Sequence, residues 1–135
     1  MNVKHFLSLQ DFTADQLIKI VDRAILLKKE PCKAEQFKNK TLALIFEKSS
    51  TRTRVAFEVA MRQLNGAALF LSSAEAQFGR GEPIEDTARV LSRMVDCIAV
   101  RTFSHDKLKS FAKHSTVPVI NALTDRFHPC QLLAD

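Results

Sequence analysis

Four short apolar runs that alternate with longer stretches of helical spacing constrain the fold of this chain more than any other feature. A continuous apolar run of this kind is typical of a strand that is buried on both faces. Strands that alternate with helices predict an α/β fold, with a four-stranded parallel sheet and helices on both faces in a three-layer α/β/α arrangement. The predicted strands are residues 41–46, 67–71, 97–101 and 117–123.

The helices between these strands are indicated by apolar spacing and by capping residues. Thr13 precedes Gln16 at the spacing of a capping box, and apolar residues then recur at helical intervals as far as Pro31. Pro129 stands where proline is favoured, in the first turn of a last helix. The other predicted helices are residues 53–64, 84–94 and 106–114.

The composition is that of a globular protein whose charge favours an anionic partner. The 135 residues suffice for one domain with a substantial core, and 46% of them are hydrophobic. A formal net charge of +5 permits binding of nucleic acid, a membrane surface or a small phosphorylated compound. The lysines are scattered, and the adjacent pair Lys28 and Lys29 is better explained by the end of a helix, which favours cations.

The cysteines and the N-terminus indicate the compartment. Cys32, Cys97 and Cys130 lie far apart without a CxxC motif or a metal-ligand spacing, which predicts reduced thiols in a cytosolic protein. Gln10 and Asp11 interrupt the N-terminal apolar residues, which are too few for a signal peptide. No segment approaches the roughly 20 apolar residues of a membrane span. We therefore expect a soluble, cytoplasmic protein.

Polar side chains follow each of the four predicted strands. They are residues 48–53 after the first strand, 77–82 after the second, Arg101 with Thr102 at the end of the third, and 128–131 after the fourth. Because the carboxyl ends of parallel strands meet at one edge of a sheet, where ligands of open α/β sheets bind, we expect these groups to converge.

The residues from Ser50 to Thr53 predict a phosphate site. They lie where a helix begins, so free backbone N–H groups and the positive end of the helix dipole add to three hydroxyls and the planar fork of Arg52. The motif is not a Walker loop, because no GxxxxGK[ST] pattern occurs. Taken alone, Ser50 is better interpreted as a helix N-cap, and only the cluster of its neighbours favours the phosphate site. Arg54 is better interpreted as a solvated ion pair with Glu58.

Arg101 and His128 also have simpler explanations when each is considered alone. A strand-terminal arginine is often a surface charge, and a histidine before a proline is often a loop residue. The convergence at one edge favours the functional interpretation. His5, His105 and His114 have no such neighbours, and we expect them at the surface.

Three stretches of the chain together resemble a known family. FEKSSTRTRVAFEVAMRQLNG, AQFGRGEPIEDTARVLSRMVDCIAVRTF and FHPCQLLAD are similar to the carbamoyl-phosphate domain of the aspartate/ornithine carbamoyltransferases. The resemblance covers residues 42–135, and the N-terminal helix also fits. Lys48 and the QFGRGE loop resemble the ornithine branch of the family rather than the aspartate branch. Asn65-Gly66 departs from the Gly-Gly pair that is common at this turn.

The resemblance implies a role for each matching residue. Arg101 would span the phosphate and the carbonyl oxygen, His128 would share that carbonyl oxygen, and Gln131 would accept from the carbamoyl NH2 group. Arg101, His128 and Thr53 would therefore be the catalytic donors to the developing oxyanion. Gln77 would reach into the site of a neighbouring subunit, because family members are trimers. The phosphate of carbamoyl phosphate would be bound by Ser50, Thr51, Arg52 and Thr53.

The implied activity is transfer of the carbamoyl group to the side-chain amine of ornithine, which gives citrulline and phosphate in arginine biosynthesis. No metal or organic cofactor is implied, and the expected assembly is a homotrimer or a multiple of trimers, with neither nucleic acid nor membrane as a partner. We expect residues 1–135 to be one carbamoyl-phosphate-binding domain, a fragment that lacks the amino-acid-binding second domain and is inactive alone, since the last helix has barely begun at Asp135.

Three alternatives remain open from the sequence. The chain could serve a carbamoyltransferase for another amine, such as putrescine, acetylornithine or aspartate. The positive charge permits a basic nucleic-acid-binding module, although a basic stripe and interleaved aromatic residues are missing. The third alternative is a structural assembly unit without enzymatic turnover.

Overall fold

The computed structural model describes residues 3–30, 35–72 and 81–135, and it confirms the predicted α/β fold with a four-stranded parallel sheet. A short 3-10 turn, Leu9–Asp11, precedes the first helix. The strands are β1 (Thr41–Phe46), β2 (Ala67–Ser72), β3 (Cys97–Arg101) and β4 (Val119–Leu123). The helices are α1 (Ala14–Lys29), α2 (Thr51–Gln63), α3 (Ile84–Ser92), α4 (His105–His114) and α5 (Pro129–Ala134).

The order of the strands in the sheet is β2-β1-β3-β4, and all neighbours are parallel. From β1 the chain moves to one side to form β2 and then returns past β1 to form β3 on the other side. The chain therefore leaves the carboxyl ends of β1 and β3 in opposite directions. At these strand ends, Phe46 and Arg101 are register partners. Such a point of divergence is where open α/β sheets form a ligand crevice.

The side chains of β1 alternate between two cores, which shows that helices cover both faces. Leu44 and its neighbours at alternate positions pack with Met61 of α2 on one face. Ile45 packs with Leu108 and Phe111 of α4 on the other face. Because full burial of each such side chain contributes about 1.5–3 kcal/mol, this strand anchors both layers.

Two elements begin two residues away from their predicted starts. The fourth strand begins at Val119 rather than Val117, because Pro118 has no N–H group to donate to the ladder. The helix α2 begins at Thr51 rather than Thr53, because the hydroxyl of Ser50 accepts from a backbone N–H of the first turn and caps the helix there.

The termini of α1 agree with the sequence prediction. The Thr13 hydroxyl accepts from Gln16 N at 3.2 Å, and Gln16 Oε1 accepts from Thr13 N at 2.9 Å, which is the predicted capping box. Lys28 and Lys29 lie in the last turn, where they complement the helix dipole. None of the helices within the described ranges has both the length and the apolar character needed to cross a membrane.

Candidate active site

A cavity of about 550 Å³ lies at the carboxyl edge of the sheet, beside the N-terminus of α2. It brings together six of the residues predicted for the site: Ser50, Arg52, Thr53, Arg101, His128 and Gln131. Thr51 opens α2 but is not among the residues that line this cavity. Gln77 lies outside the described residues.

The N-terminus of α2 is held by a side-chain cap that belongs to the same cavity. Ser50 has extended backbone angles, and its Oγ accepts from Thr53 N at 3.3 Å. Ser50 is therefore a helix N-cap, as one of the two interpretations predicted, and it also lines the cavity. The first-turn N–H groups of a helix have no intrahelical acceptors, so this end of α2 offers donors and a positive dipole to an anion.

Arg101 is the last residue of β3 and links the strand end to the helix terminus. Its Nη1 donates to Thr53 Oγ1 at 3.5 Å, a long hydrogen bond. Its Nε is buried and has no hydrogen-bond partner among the residues that the structure describes. Burial lowers the pKa of Arg101, but an arginine side chain stays protonated in proteins. The site thus contains a cation whose Nε–H group can donate a hydrogen bond to a ligand.

His128 approaches the same cavity from the loop before α5. Burial, and secondly the positive charge of Arg101, lower the pKa of His128 below its usual 6.5. Its Nδ1 is buried and lacks a partner within the described part of the chain. At neutral pH the imidazole is therefore uncharged, with one N–H donor and one acceptor nitrogen. Such a group can donate to an oxygen that gains negative charge.

Asn121, which the sequence analysis did not select, holds the loop that carries His128. Its side chain is fully buried in β4, and Nδ2 donates to Leu7 O at 2.9 Å and to Phe127 O at 3.3 Å. Its Oδ1 accepts from Leu123 N at 2.8 Å. An amide inside the apolar run VPVINAL was a usable signal, because a buried amide is costly unless it is hydrogen-bonded.

His105 was predicted at the surface, and this prediction is wrong. The ring is buried, its Nδ1 lies 2.9 Å from Thr124 Oγ1, and its centroid is 4.9 Å from that of Phe127. His5 is also partly buried, and its Nδ1 accepts from Val119 N at 3.0 Å. Both histidines fill tertiary contacts with residues distant in sequence, which local pattern does not reveal.

The comparison with known proteins agrees with the resemblance. Residues 4–135 match the carbamoyl-P binding domain of the aspartate/ornithine carbamoyltransferases. The chain belongs to this family. Because the match includes almost every residue, the fold and the candidate site lie entirely within the family domain.

Three relatives show the extent of the similarity. Ornithine carbamoyltransferase of Hydrogenovibrio crunogenus is 62% identical over 138 residues, which include all of this chain and 46% of that protein. The crystal structure of anabolic ornithine carbamoyltransferase from Campylobacter jejuni has a TM-score of 0.93 and 53% identity over 98% of this chain and 43% of that one. A mutant N-acetyl-L-ornithine transcarbamylase solved with carbamyl phosphate has a TM-score of 0.87 and 40% identity, over 98% of this chain and 46% of that one. The chain thus spans less than half the length of these relatives.

The two described cysteines of this carbamoyltransferase-family domain are free thiols, as predicted; Cys32 lies outside the described residues. Burial raises the pKa of Cys130 to about 11, and its Sγ lies 3.6 Å from Asn121 O. Burial likewise raises the pKa of Cys97 to about 11. Although Cys130 lines the cavity, its thiol is protonated at neutral pH and is a poor nucleophile.

Arg54, the second arginine of the STRTR motif, makes the predicted surface ion pair. Its Nε lies 3.5 Å from Glu58 Oε1, and both side chains are exposed. The guanidinium carbon also lies 3.8 Å from the centroid of the Phe70 ring, a cation–π contact with β2. Arg54 is therefore part of the packing between α2 and β2, and it does not line the cavity.

Three histidines make the stability of this family domain depend on pH. Burial is the main cause that lowers the pKa of His5, His105 and His128 in the folded chain. The unfolded chain therefore binds protons first as the pH falls, so stability is full above pH 6.5 and decreases down through the lowered folded-state values. Each unit by which a pKa is lowered corresponds to about 1.4 kcal/mol.

We expect the melting temperature to decrease as the pH is lowered from 7.5 to 5.5. We expect His105→Gln to make this decrease smaller, because the substitution removes one titrating group. Thermal unfolding followed by circular dichroism measures both. His114→Gln at the end of α4 is the control. A melting temperature that is constant over this range would contradict the expectation.

Proposed function

We propose that this chain is the carbamoyl-phosphate-binding half of a transferase that moves the carbamoyl group to the side-chain amine of ornithine, giving citrulline and phosphate. The observation that carries the proposal is the convergence of Arg52, Thr53, Arg101 and His128 on one cavity at the N-terminus of α2. The similarity to ornithine carbamoyltransferases supports the choice of reaction.

The phosphate of carbamoyl phosphate binds at the start of α2. Backbone N–H groups of the first turn and the hydroxyls of Ser50, Thr51 and Thr53 supply donors without a metal ion. Arg52, whose side chain lines the cavity, adds a fork suited to two phosphate oxygens. Each charge-assisted hydrogen bond contributes about 1.5–3 kcal/mol, so three or four of them hold a dianion.

The carbamoyl group lies between Arg101, His128 and Gln131. Arg101 and the uncharged imidazole of His128 donate to the carbonyl oxygen, and Thr53 adds a hydroxyl at the same point. Gln131 Nε2 donates to Asp135 Oδ1 at 3.0 Å, so its Oε1 is the atom that accepts from the carbamoyl NH2 group. These contacts orient the carbonyl carbon toward the amine.

The reaction then follows from the placement of donors. The uncharged amine attacks the carbonyl carbon, the carbonyl oxygen gains negative charge, and Arg101, His128 and Thr53 stabilise it. The C–O bond to phosphate breaks while Arg52 and the helix terminus stabilise the charge on the leaving phosphate. The amine loses one proton, which the leaving phosphate accepts to become HPO4²⁻. No covalent intermediate is required, which agrees with a protonated Cys130 in the cavity.

The amine side belongs to a second domain, in the part of the relatives that this chain does not match. Residues 1–135 are one domain, and the assembly is a trimer in which Gln77 reaches the site of a neighbouring subunit. Ornithine is favoured over acetylornithine because the ornithine enzymes are the more similar in sequence and in fold.

Removal of the Arg52 guanidinium tests the phosphate site. We expect Arg52→Ala to weaken binding of inorganic phosphate to this chain about 10- to 100-fold, which corresponds to the loss of one charge-assisted hydrogen bond. Isothermal titration calorimetry measures the dissociation constant. Arg62→Ala, in the last turn of the same helix, is the matched control and keeps the affinity of the parent chain. Equal affinities for the Arg52 variant and the parent chain would contradict the proposal.

A further inference from the structure

We propose that Glu47 is a positioning residue for Arg101: its carboxylate ties the end of β3 to the end of β1 and to α4, and so sets the position of the Arg101 guanidinium over the phosphate site. The inference rests on the proposed function and adds to it a residue that does not touch the substrate. Glu47 was not selected from the sequence, because it lies one residue outside the polar run that begins at Lys48.

Three hydrogen bonds define this arrangement. The backbone N–H of Glu47 donates to Arg101 O at 2.8 Å. Glu47 Oε1 accepts a short hydrogen bond from Thr102 Oγ1, the residue that follows Arg101. The same oxygen accepts from Lys107 Nζ of α4 at 2.8 Å. Glu47 therefore contacts both the carbonyl oxygen of Arg101 and the side chain of the residue that follows it.

Burial makes this group of contacts more than a surface ion pair. Thr102 is 1% exposed, and the side chains of Glu47 and Lys107 are 17% and 22% exposed. Charges that are largely removed from water are screened less by solvent and salt, so their geometry is held more firmly than that of an exposed pair. By contrast, the ion pair of Arg126 with Asp106 has both partners exposed and a separation of 3.9 Å.

The end of β3 needs such a contact because its pairing with β4, its other neighbour in the sheet, is irregular. The register between β3 and β4 shifts between Val100 and Arg101, so Arg101 pairs with Leu123 only after an irregularity in the ladder. Bulges of this kind bend a strand and change the direction of a side chain. On the β1 side, Glu47 supplies the compensating fixed point, one residue beyond the register pair Phe46 and Arg101.

The position of Arg101 affects the selectivity of the site between inorganic phosphate and a carbamoyl compound. The start of α2 and Arg52 contact phosphate alone, whereas Arg101 also contacts the carbonyl oxygen of the carbamoyl group. A displaced Arg101 therefore weakens binding of the carbamoyl compound more than binding of inorganic phosphate. A loss of general stability does not change that ratio, once affinities refer to the folded fraction.

Asp96 offers a matched control at the opposite edge of the same two strands. Its Oδ2 accepts from Thr41 N at 2.8 Å, and its Oδ1 lies 3.8 Å from Lys40 Nζ. Like Glu47, this carboxylate joins β1 to β3 and pairs with a lysine. It lies at the amino edge of the sheet, away from the cavity. Asp96→Asn therefore changes stability without removing a contact beside Arg101.

The experiment measures the dissociation constants of inorganic phosphate and of phosphonoacetamide, a stable analogue in which a methylene replaces the bridging oxygen of carbamoyl phosphate. The full chain and the variants Glu47→Gln, Lys107→Met and Asp96→Asn are titrated by calorimetry, and their melting temperatures are recorded. We expect Glu47→Gln to lower the preference for phosphonoacetamide over phosphate about tenfold, since the loss of one charge-assisted hydrogen bond, that of Arg101 to the carbonyl oxygen, has an effect of this order. Lys107→Met changes the preference in the same direction, and the double variant adds little to Glu47→Gln because both act through one contact.

The outcomes separate the two proposals. If the unmodified chain binds phosphonoacetamide no better than phosphate, the proposed carbonyl site fails and this inference fails with it. If the unmodified chain shows the preference and both Glu47→Gln and Lys107→Met retain it, the positioning role alone is overturned. A preference that falls equally in Asp96→Asn also overturns it, because the effect is then not specific to the contact of Glu47 beside Arg101. Should Glu47→Gln not fold, Lys107→Met decides.

Discussion

Replacing Arg101 with alanine is expected to lower the rate of citrulline synthesis about 10²–10³-fold, which is the usual cost of one oxyanion donor. The same substitution weakens phosphate binding much less, because the carbonyl oxygen gains its charge only in the transition state. His128→Ala is expected to act in the same direction. The assay uses a chimera in which this chain replaces the matching 46% of the Hydrogenovibrio crunogenus ornithine carbamoyltransferase.

Arg126→Ala is the control for this experiment. Arg126 precedes His128 by two residues, its side chain is 61% exposed, and it is not among the residues that line the cavity. Its removal is expected to leave the turnover of the chimera unchanged. If Arg101→Ala or His128→Ala retained turnover within a factor of about three, its assignment as a transition-state donor would be wrong, since such donors act at the scale of 10² or more.

The isolated chain is expected to make no citrulline from ornithine and carbamoyl phosphate above the rate without protein. An amine and a carbamoyl donor must be held in attack geometry, and such positioning supplies about 7–11 kcal/mol of the barrier reduction. In our proposal this chain holds only the carbamoyl side. In the same proposal, water is excluded from the site by closure of a second domain, which belongs to the part of the relatives that this chain does not match.

The chimera with Hydrogenovibrio crunogenus is the positive control, and citrulline is measured with both substrates saturating. Turnover by the chimera shows that this chain supplies a competent carbamoyl half. Turnover by the isolated chain close to that of the chimera would show that residues 1–135 hold a complete site, and the proposal of a half-enzyme would be incorrect.

The strands and their order of appearance were predictable because each is a short apolar run between helical segments. The bounds of β1 and β3 agree with the prediction. The start of β4 was not predictable, because the run VPVINAL reads as one strand by its apolar character. Only the missing N–H of Pro118 limits the ladder there. Apolar character marks burial, but hydrogen-bond pairing decides where a strand begins.

Most of the candidate site was also predictable, because residues directly after parallel strands must share an edge. Ser50, Arg52, Thr53, Arg101, His128 and Gln131 were predicted, and they meet at one cavity. The residues that support them were missed. Asn121 and His105 act through contacts with backbone and side chains that are distant in sequence.

By itself, the sequence determined the alternation of strands and helices, the helix cap at Thr13, and the set of polar groups at the carboxyl edge, since these depend on local spacing and on residue type. Only the tertiary structure decided that Glu47 joins Thr102 and Lys107 beside Arg101. Only it showed that burial and a neighbouring cation keep His128 uncharged. Both depend on distances between segments far apart in the chain, because hydrogen bonding and desolvation act through space.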